Sequence, residues 1–285
     1  MKKIKAAVDI GSNTVQMLAG FEEQGQIVPV YRYLATTRLG AGGRPNHLSE
    51  GAMAQTVAAL TEIQTMLSAK GVQDIRLLAT SAVRDAENQA DFLDLVKRAC
   101  GLDIRVLSGM EEAQLSYRGA VSVLDDASAL VLDIGGGSTE LIREEAAGLL
   151  AVSYNIGAVR AQNQGWQRAD IVQQFGRKTL PELGRHPLVG VGGTITTAAA
   201  MRAGVREYSR QAVQGRVLSR QWLLQLRDHL AALPVEARCS YSPLLQKRGE
   251  IIVEGLTILE VVMALLGTEC ITASDAGFLD GALLD

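Results

Sequence analysis

The sequence predicts an α/β chain built as two similar lobes around a central cleft. Three observations lead there. Short aliphatic runs punctuated by glycine alternate with stretches of helical spacing. The string DIGSNT at 9–14 returns as DIGGGSTE at 133–140, each time behind an apolar run that ends in aspartate. After residue 128 the order restarts, with glycine-punctuated strands first and helices after them. The 124 positions from Asp9 to Asp133 far exceed the roughly 20–50 residues of a solenoid period, so the repeat marks duplicated lobes.

Residues 4–10 (IKAAVDI) read as a buried strand, with 15–20 and 27–34 as its hairpin neighbours. A helix over about 50–70 is opened by Ser49 and closed by Gly71. Strands follow at 75–80 and 104–107, with a helix at about 86–100 between them. The helix at about 109–123 and the acidic pair Asp125–Asp126 form the expected seam, giving lobes 1–120 and 121–285. ALVLDI, TELIRE and GLLAVSYNI then restart the pattern. GAGGRPNHLS at 40–49, with Gly40, Gly42, Gly43 and Pro45, is a loop that either connects or covers the cleft.

A chain of 285 residues with 47% apolar content has enough material for one large domain or two smaller ones, and with 4% aromatics the core is aliphatic. No apolar run reaches membrane-spanning length, and Lys2, Lys3 and Lys5 precede too few apolar residues for a signal peptide. Cys100, Cys239 and Cys270 are scattered without metal-ligand spacing, as expected of reduced thiols in a cytoplasmic protein. The net charge of −3 conceals an asymmetry: residues 151–250 carry twelve Arg and two Lys against six acids, a balance of +8, leaving −11 elsewhere. Such a basic half points either to an anionic partner or to solvated helix faces. The predominance of Arg favours phosphate.

Each glycine turn leaves a strand end carrying an aspartate. Consecutive backbone amides there can form an anion nest, with Ser12, Thr14, Ser138 and Thr139 adding hydroxyls. A third turn, GVGGTITT at 190–197, offers Gly192, Gly193 and Thr194 in the same manner. The pattern is neither a dinucleotide fingerprint nor a P-loop. Asp9 and Asp133 are candidate magnesium ligands, and Glu140 joins them if its strand hairpins back.

In LSGMEEAQLSYRG, Ser108 and Glu111 fit a capping box. Glu112 lies about 100° further round the helix, outside the cap, and either activates a water or is a solvated surface carboxylate. Arg84, read as standing at a helix start where the dipole disfavours a cation, suggests an anion nearby, or pairing with Asp85 or Glu87. The three histidines share no metal spacing: His186 and His229 read as surface residues, and His47 sits in the glycine-rich loop.

Taken in order, DIGSNT, TSAVRDAEN, SGMEEA, DIGGGSTE, NIGAVR, VGGTITT and RGEIIVEG resemble the exopolyphosphatase/guanosine-pentaphosphate phosphohydrolase family of the actin-like ATPase superfamily, from residue 4 to the end. The resemblance implies two ribonuclease-H-like lobes that hydrolyse terminal phosphoanhydrides with magnesium (Mg2+). It makes Glu112 the catalytic base and Arg84 a phosphate contact. Asp9, Gly11, Ser12, Asn13 and Thr14 match one phosphate loop, and Asp133, Gly135, Gly136, Ser138 and Glu140 match the second phosphate and metal loop. The extra C-terminal domains of longer members are absent from this sequence, and a family Arg-Glu pair is here Leu279-Asp280.

The leading expectation is hydrolysis of inorganic polyphosphate to orthophosphate. Guanosine pentaphosphate 5′-phosphohydrolysis, a non-hydrolytic polyphosphate or nucleotide sensor, and a small-molecule kinase are the alternatives. Nucleic acid and membrane are not expected partners, and an isologous homodimer is the default assembly.

Overall fold

The computed structural model describes residues 2–40, 46–124, 128–146, 148–176 and 186–285. It divides into two compact units, Met1–Ser122 with Phe278–Asp285, and Val123–Gly277.

In the first unit β1 (Lys5–Ile10), β2 (Thr14–Glu23) and β3 (Gln26–Thr36) form an antiparallel meander. Helix α1 (Glu50–Ala69) carries the chain to β4 (Asp74–Ala79), which lies parallel to β1. The short α2 (Ser81–Arg84) and α3 (Gln89–Cys100) lead to β5 (Ile104–Val106), parallel to β4, and then to α4 (Gly109–Val121). The expected helix at 86–100 is thus preceded by a separate turn of helix. The period of two along β1 distributes its side chains between two cores. Ala6, Val8 and Ile10 join a cluster with Leu60 and Ile63 of α1 and Phe92 and Val96 of α3, while Ala7 points the other way, to Leu107 and Leu115. The Ser49 hydroxyl accepts the Ala52 amide at 3.3 Å and so begins α1 where the sequence placed its start.

The second unit repeats this plan. Strands β6 (Leu130–Ile134), β7 (Thr139–Glu145) and β8 (Gly148–Tyr154) form the meander, followed by α5 (Ala158–Gln164) and α6 (Arg168–Phe175). Next come β9 (Leu188–Val191), α7 (Gly193–Arg202), α8 (Arg210–Val213), β10 (Val217–Ser219), α9 (Arg220–Ala231), α10 (Val235–Tyr241), α11 (Ile252–Leu266) and β11 (Cys270–Ala273). Sheet order is β3-β2-β1-β4-β5 in the first unit and β10-β11-β9-β6-β7-β8 in the second. Without the edge strand β10, the two orders correspond strand for strand and in direction. Both units are ribonuclease-H-like, the fold of the actin-like ATPases. Asp125, Asp126, Gly42, Gly43 and Pro45 lie outside the described residues.

One expectation needs correcting. The final helix α12 (Phe278–Leu284), assigned from sequence to the second lobe, belongs to the first unit. Its apolar residues Ala282 and Leu283 complete the cluster of Ala7, Leu18 and Leu78, covering the sheet face opposite α1 and α3. Arg76 donates to the Ala282 carbonyl at 2.8 Å. Gly281 lies so close to the Leu115 carbonyl that a Cβ has no room. Leu279 packs on the same cluster and Asp280 is buried, so this helix is held by packing.

Several arginines of residues 151–250 are engaged inside the second unit. Arg168, Arg220 and Arg227 converge on buried Glu260, at 2.7, 3.0 and 3.6 Å. Burial pushes the Glu260 carboxyl up, but hydrogen bonds from Arg168 and Arg220 outweigh it and hold it below the ordinary range. Arg238 donates to the carbonyls of Leu230 and Leu233, and Arg210 approaches Asp275 at 3.8 Å. His186, expected at the surface, is joined to the Ser128 carbonyl and to Arg143, each at 2.9 Å.

Two outcomes follow from this packing. Gly281→Ala forces the α12 backbone away from α4 and should destabilise the protein by about 1–3 kcal/mol in denaturant unfolding. Glu254 on α11 is raised above the ordinary carboxylate range by burial, only partly opposed by its own backbone amide and by Arg238. Its Oε2 has no hydrogen-bond partner among the described residues. A folded-state value above the unfolded one means the native state holds the proton longer, so this group's contribution falls as pH climbs from the unfolded value through the folded one. Glu254→Gln should therefore raise Tm at pH 8 and change it little at pH 4, as read by thermal unfolding at both pH values.

Candidate active site

The candidate residues fall into two sets, one in each unit. In the first, the turn after β1 is closed by the Gly11 amide donating to the Thr14 carbonyl at 3.0 Å. The Ser12 carbonyl accepts from Gly40 at 2.7 Å, and the Asn13 carbonyl from Thr37 and Arg38 at 3.1 and 3.0 Å. Because C=O and N–H of a trans peptide point opposite ways, fixing these carbonyls directs the Asn13 and Thr14 amides to the other side. Holding this geometry places Arg38 at φ 50°, a strained backbone for a residue with a side chain.

Strands β1 and β4 are parallel, so they end at the same sheet edge, where ligand sites of such sheets form. The Ser12 and Ser81 hydroxyls meet there at 3.2 Å. Arg84 ends α2, not begins a helix as expected, so the dipole conflict disappears. Its Nη1 donates to the Leu107 carbonyl at 3.0 Å and to Glu112 Oε2 at 3.2 Å, while Nε lies 3.6 Å from Asp85. The two adjacent glutamates divide as the capping pattern predicts. Glu111 takes the Ser108 amide and hydroxyl at 2.9 Å and Arg105 at 2.6 Å, and these bonds, the Ser108 amide foremost, pull its carboxyl down to about 2. Glu112, whose side chain is 12% exposed, turns toward Arg84.

In the second unit β6 and β7 hairpin, with Asp133 and Glu140 as direct cross-strand partners whose side chains share one face. Glu140 is 1% exposed and accepts from the Ser153 hydroxyl at 2.8 Å. The Gly135 amide donates to the Ser138 carbonyl at 2.9 Å, the same closure as in the first turn. The third turn is strand-to-helix: Gly192, at φ 84°, caps α7 without any side-chain cap. A Cβ there would lie 2.7 Å from Asp133 Oδ1, so Asp133 and the third turn are neighbours. The Arg248 guanidinium fills the space beside Gly193, and Thr194 is buried against Gly255.

Asp9 shares the first set with Gly11, Ser12, Asn13, Thr14, Arg84 and Glu112. Opposite Asp9 stands Gln16, where the second unit has Glu140 opposite Asp133. Two carboxylates on one hairpin face suit a hard divalent cation that takes its remaining ligands from phosphate and water. No group of three or more His, Cys, Asp or Glu able to hold a metal by itself occurs among the described residues. Sequence reasoning passed over Ser153, Arg38, Gly157 and Arg160; only NIGAVR, which contains the last two, had stood out. Gly192→Ala should destabilise the protein by about 1–3 kcal/mol through its positive φ and move the Asp133 carboxylate. Denaturant unfolding together with the dependence of phosphatase activity on divalent-cation concentration reads both effects.

The chain is 30% identical over 310 aligned residues to exopolyphosphatase 2 of Mycobacterium tuberculosis, covering 98% of this chain and 97% of that protein. The crystal structure of the Aquifex aeolicus Ppx/GppA family member aligns with TM-score 0.80 and 26% identity over 100% of this chain and 97% of that one. An exopolyphosphatase structure from Cytophaga hutchinsonii shares the fold, with TM-score 0.88 and 24% identity over 98% and 96% of the two chains. Residues 20–285 match the Ppx/GppA phosphatase family, and with these glycine turns and carboxylates in place the chain belongs to that family of hydrolases.

Proposed function

We propose that this protein is an exopolyphosphatase that releases orthophosphate from the end of inorganic polyphosphate with magnesium. The observation that carries the reading is the Arg84–Glu112 contact at the sheet edge where the first glycine turn ends. It joins a phosphate-binding cation to a carboxylate in reach of an attacking water. The full-length similarity to a mycobacterial exopolyphosphatase supports polyphosphate as substrate.

In this mechanism the amides of the glycine turns bind phosphoryl oxygens, with Ser12, Thr14 and Ser138 adding hydroxyls and Gly192–Thr194 further donors. Arg84 orients the terminal phosphate. Glu112 takes the proton of a water whose oxygen attacks the terminal phosphorus, the bridging P–O bond breaks, and the shortened chain leaves with the electron pair. Asp133 and Glu140 would hold Mg2+, which when bound neutralises charge on the phosphoryl oxygens.

Replacing Glu112 by Gln should lower kcat about 10²- to 10⁴-fold and leave KM for medium-chain polyphosphate within a few-fold. Phosphate release measured on polyphosphate and on guanosine pentaphosphate, with and without Mg2+, is the test. Unchanged turnover would remove Glu112 from the chemistry. Release from the nucleotide alone would reassign the substrate, and binding without release from either would indicate a sensor.

A further inference from the structure

The second glycine turn is held from behind by the segment after β8. The Ala158 amide donates to the Gly135 carbonyl at 3.0 Å. The Gly136 carbonyl accepts from both Val159 and Arg160 amides, at 2.8 and 3.0 Å. The Gly137 carbonyl accepts the Arg160 side chain, through Nε at 2.8 Å. Gly157 lies so close to the Gly136–Gly137 peptide that a Cβ would overlap it. Three successive carbonyls therefore face α5, and the amides of Gly136, Gly137 and Ser138 must face the opposite side.

These three restraints differ in kind. The first two carbonyls are fixed by backbone amides of α5, which survive any substitution that keeps the helix. The third is fixed by one side chain, in a peptide that begins at glycine and so meets little steric resistance to rotation. If the Gly137 carbonyl turns outward, the nest loses the Ser138 amide and gains a carbonyl oxygen that repels an anion.

We infer that Arg160 is a positioning residue that sets the polarity of the second phosphate cradle by locking the Gly137–Ser138 peptide with its amide outward. The inference deepens the proposed phosphohydrolase activity and rests on it for the identity of the anion. In this role Arg160 acts on substrate through the peptide it holds, its Nε being directed at the protein's own backbone.

The test compares wild type, Arg160→Ala and Arg160→Lys in polyphosphate hydrolysis, with thermal unfolding alongside. Arg160→Ala is expected to raise KM about tenfold with kcat within about threefold, as loss of one charge-accepting donor implies. Arg160→Lys, which keeps a donor of similar reach, should recover part of the loss, and methylguanidine added to Arg160→Ala should recover part as well. Unchanged KM, or a loss that follows Tm in every variant, overturns the inference. Hydrogen exchange at the Ser138 amide is measured on the same proteins without substrate, and altered exchange in Arg160→Ala alone is the expected result. Wild type that hydrolyses no polyphosphate would defeat the substrate assignment while this exchange measurement still decides the role of Arg160. Should Arg160→Ala fail to fold, Arg160→Gln replaces it in both measurements.

Discussion

The structure depends on the direction in which a few peptide units face. A glycine turn can present carbonyls or amides to a ligand, and only amides attract phosphate. Both turns solve this in the same manner. Each is closed by one bond, Gly11 to Thr14 or Gly135 to Ser138, and each has its carbonyls taken up from behind. The donors differ: in the first turn they are Thr37, Arg38 and Gly40 just beyond β3, and in the second they are the first residues of α5 and the Arg160 side chain. The duplicated sheet supplies the same edge twice, and unrelated following segments have been fitted to the same task.

Around that constraint the two units have diverged in charge. The first set carries one turn aspartate, Asp9, with Gln16 opposite, and adds the Arg84–Glu112 pair. The second carries the Asp133 and Glu140 pair on its turn hairpin. In the function proposed above, proton transfer and cation binding fall to separate copies of one motif, which would account for two copies that are similar without being interchangeable.

Much of this was legible in the sequence, because local rules dominated. Short apolar runs ending in aspartate marked β1 and β6, Ser49 and the Ser108–Glu111 box marked the starts of α1 and α4, and the DIG repeat exposed the duplication. The capping box also separated Glu111 from Glu112, since a carboxylate engaged by its own helix end is withdrawn from chemistry. What stayed hidden was set by long-range packing. Nothing local tells α12 to cover the first sheet, because its apolar face would suit either unit. Arg84 looked misplaced only because α2 is a single turn whose end could not be read from propensity. The arginine surplus pointed either to an anionic partner or to solvated helix faces, whereas Glu260, a buried acid far along the chain, gathers three of those side chains. Arg160 went unnoticed for a related reason: it holds a backbone carbonyl, which leaves no trace in residue type.

The claim that both glycine turns are phosphate cradles built from outward-facing amides is tested most directly by titrating the isotopically labelled protein with orthophosphate and following backbone amide resonances. The account expects saturable shifts at Asn13 and Thr14 and at Gly136, Gly137 and Ser138, with the amides of Gly11 and Gly135, already committed within their turns, moving least. Saturable binding that leaves both turns unshifted, or shifts confined to the exposed arginines of residues 151–250, would contradict it.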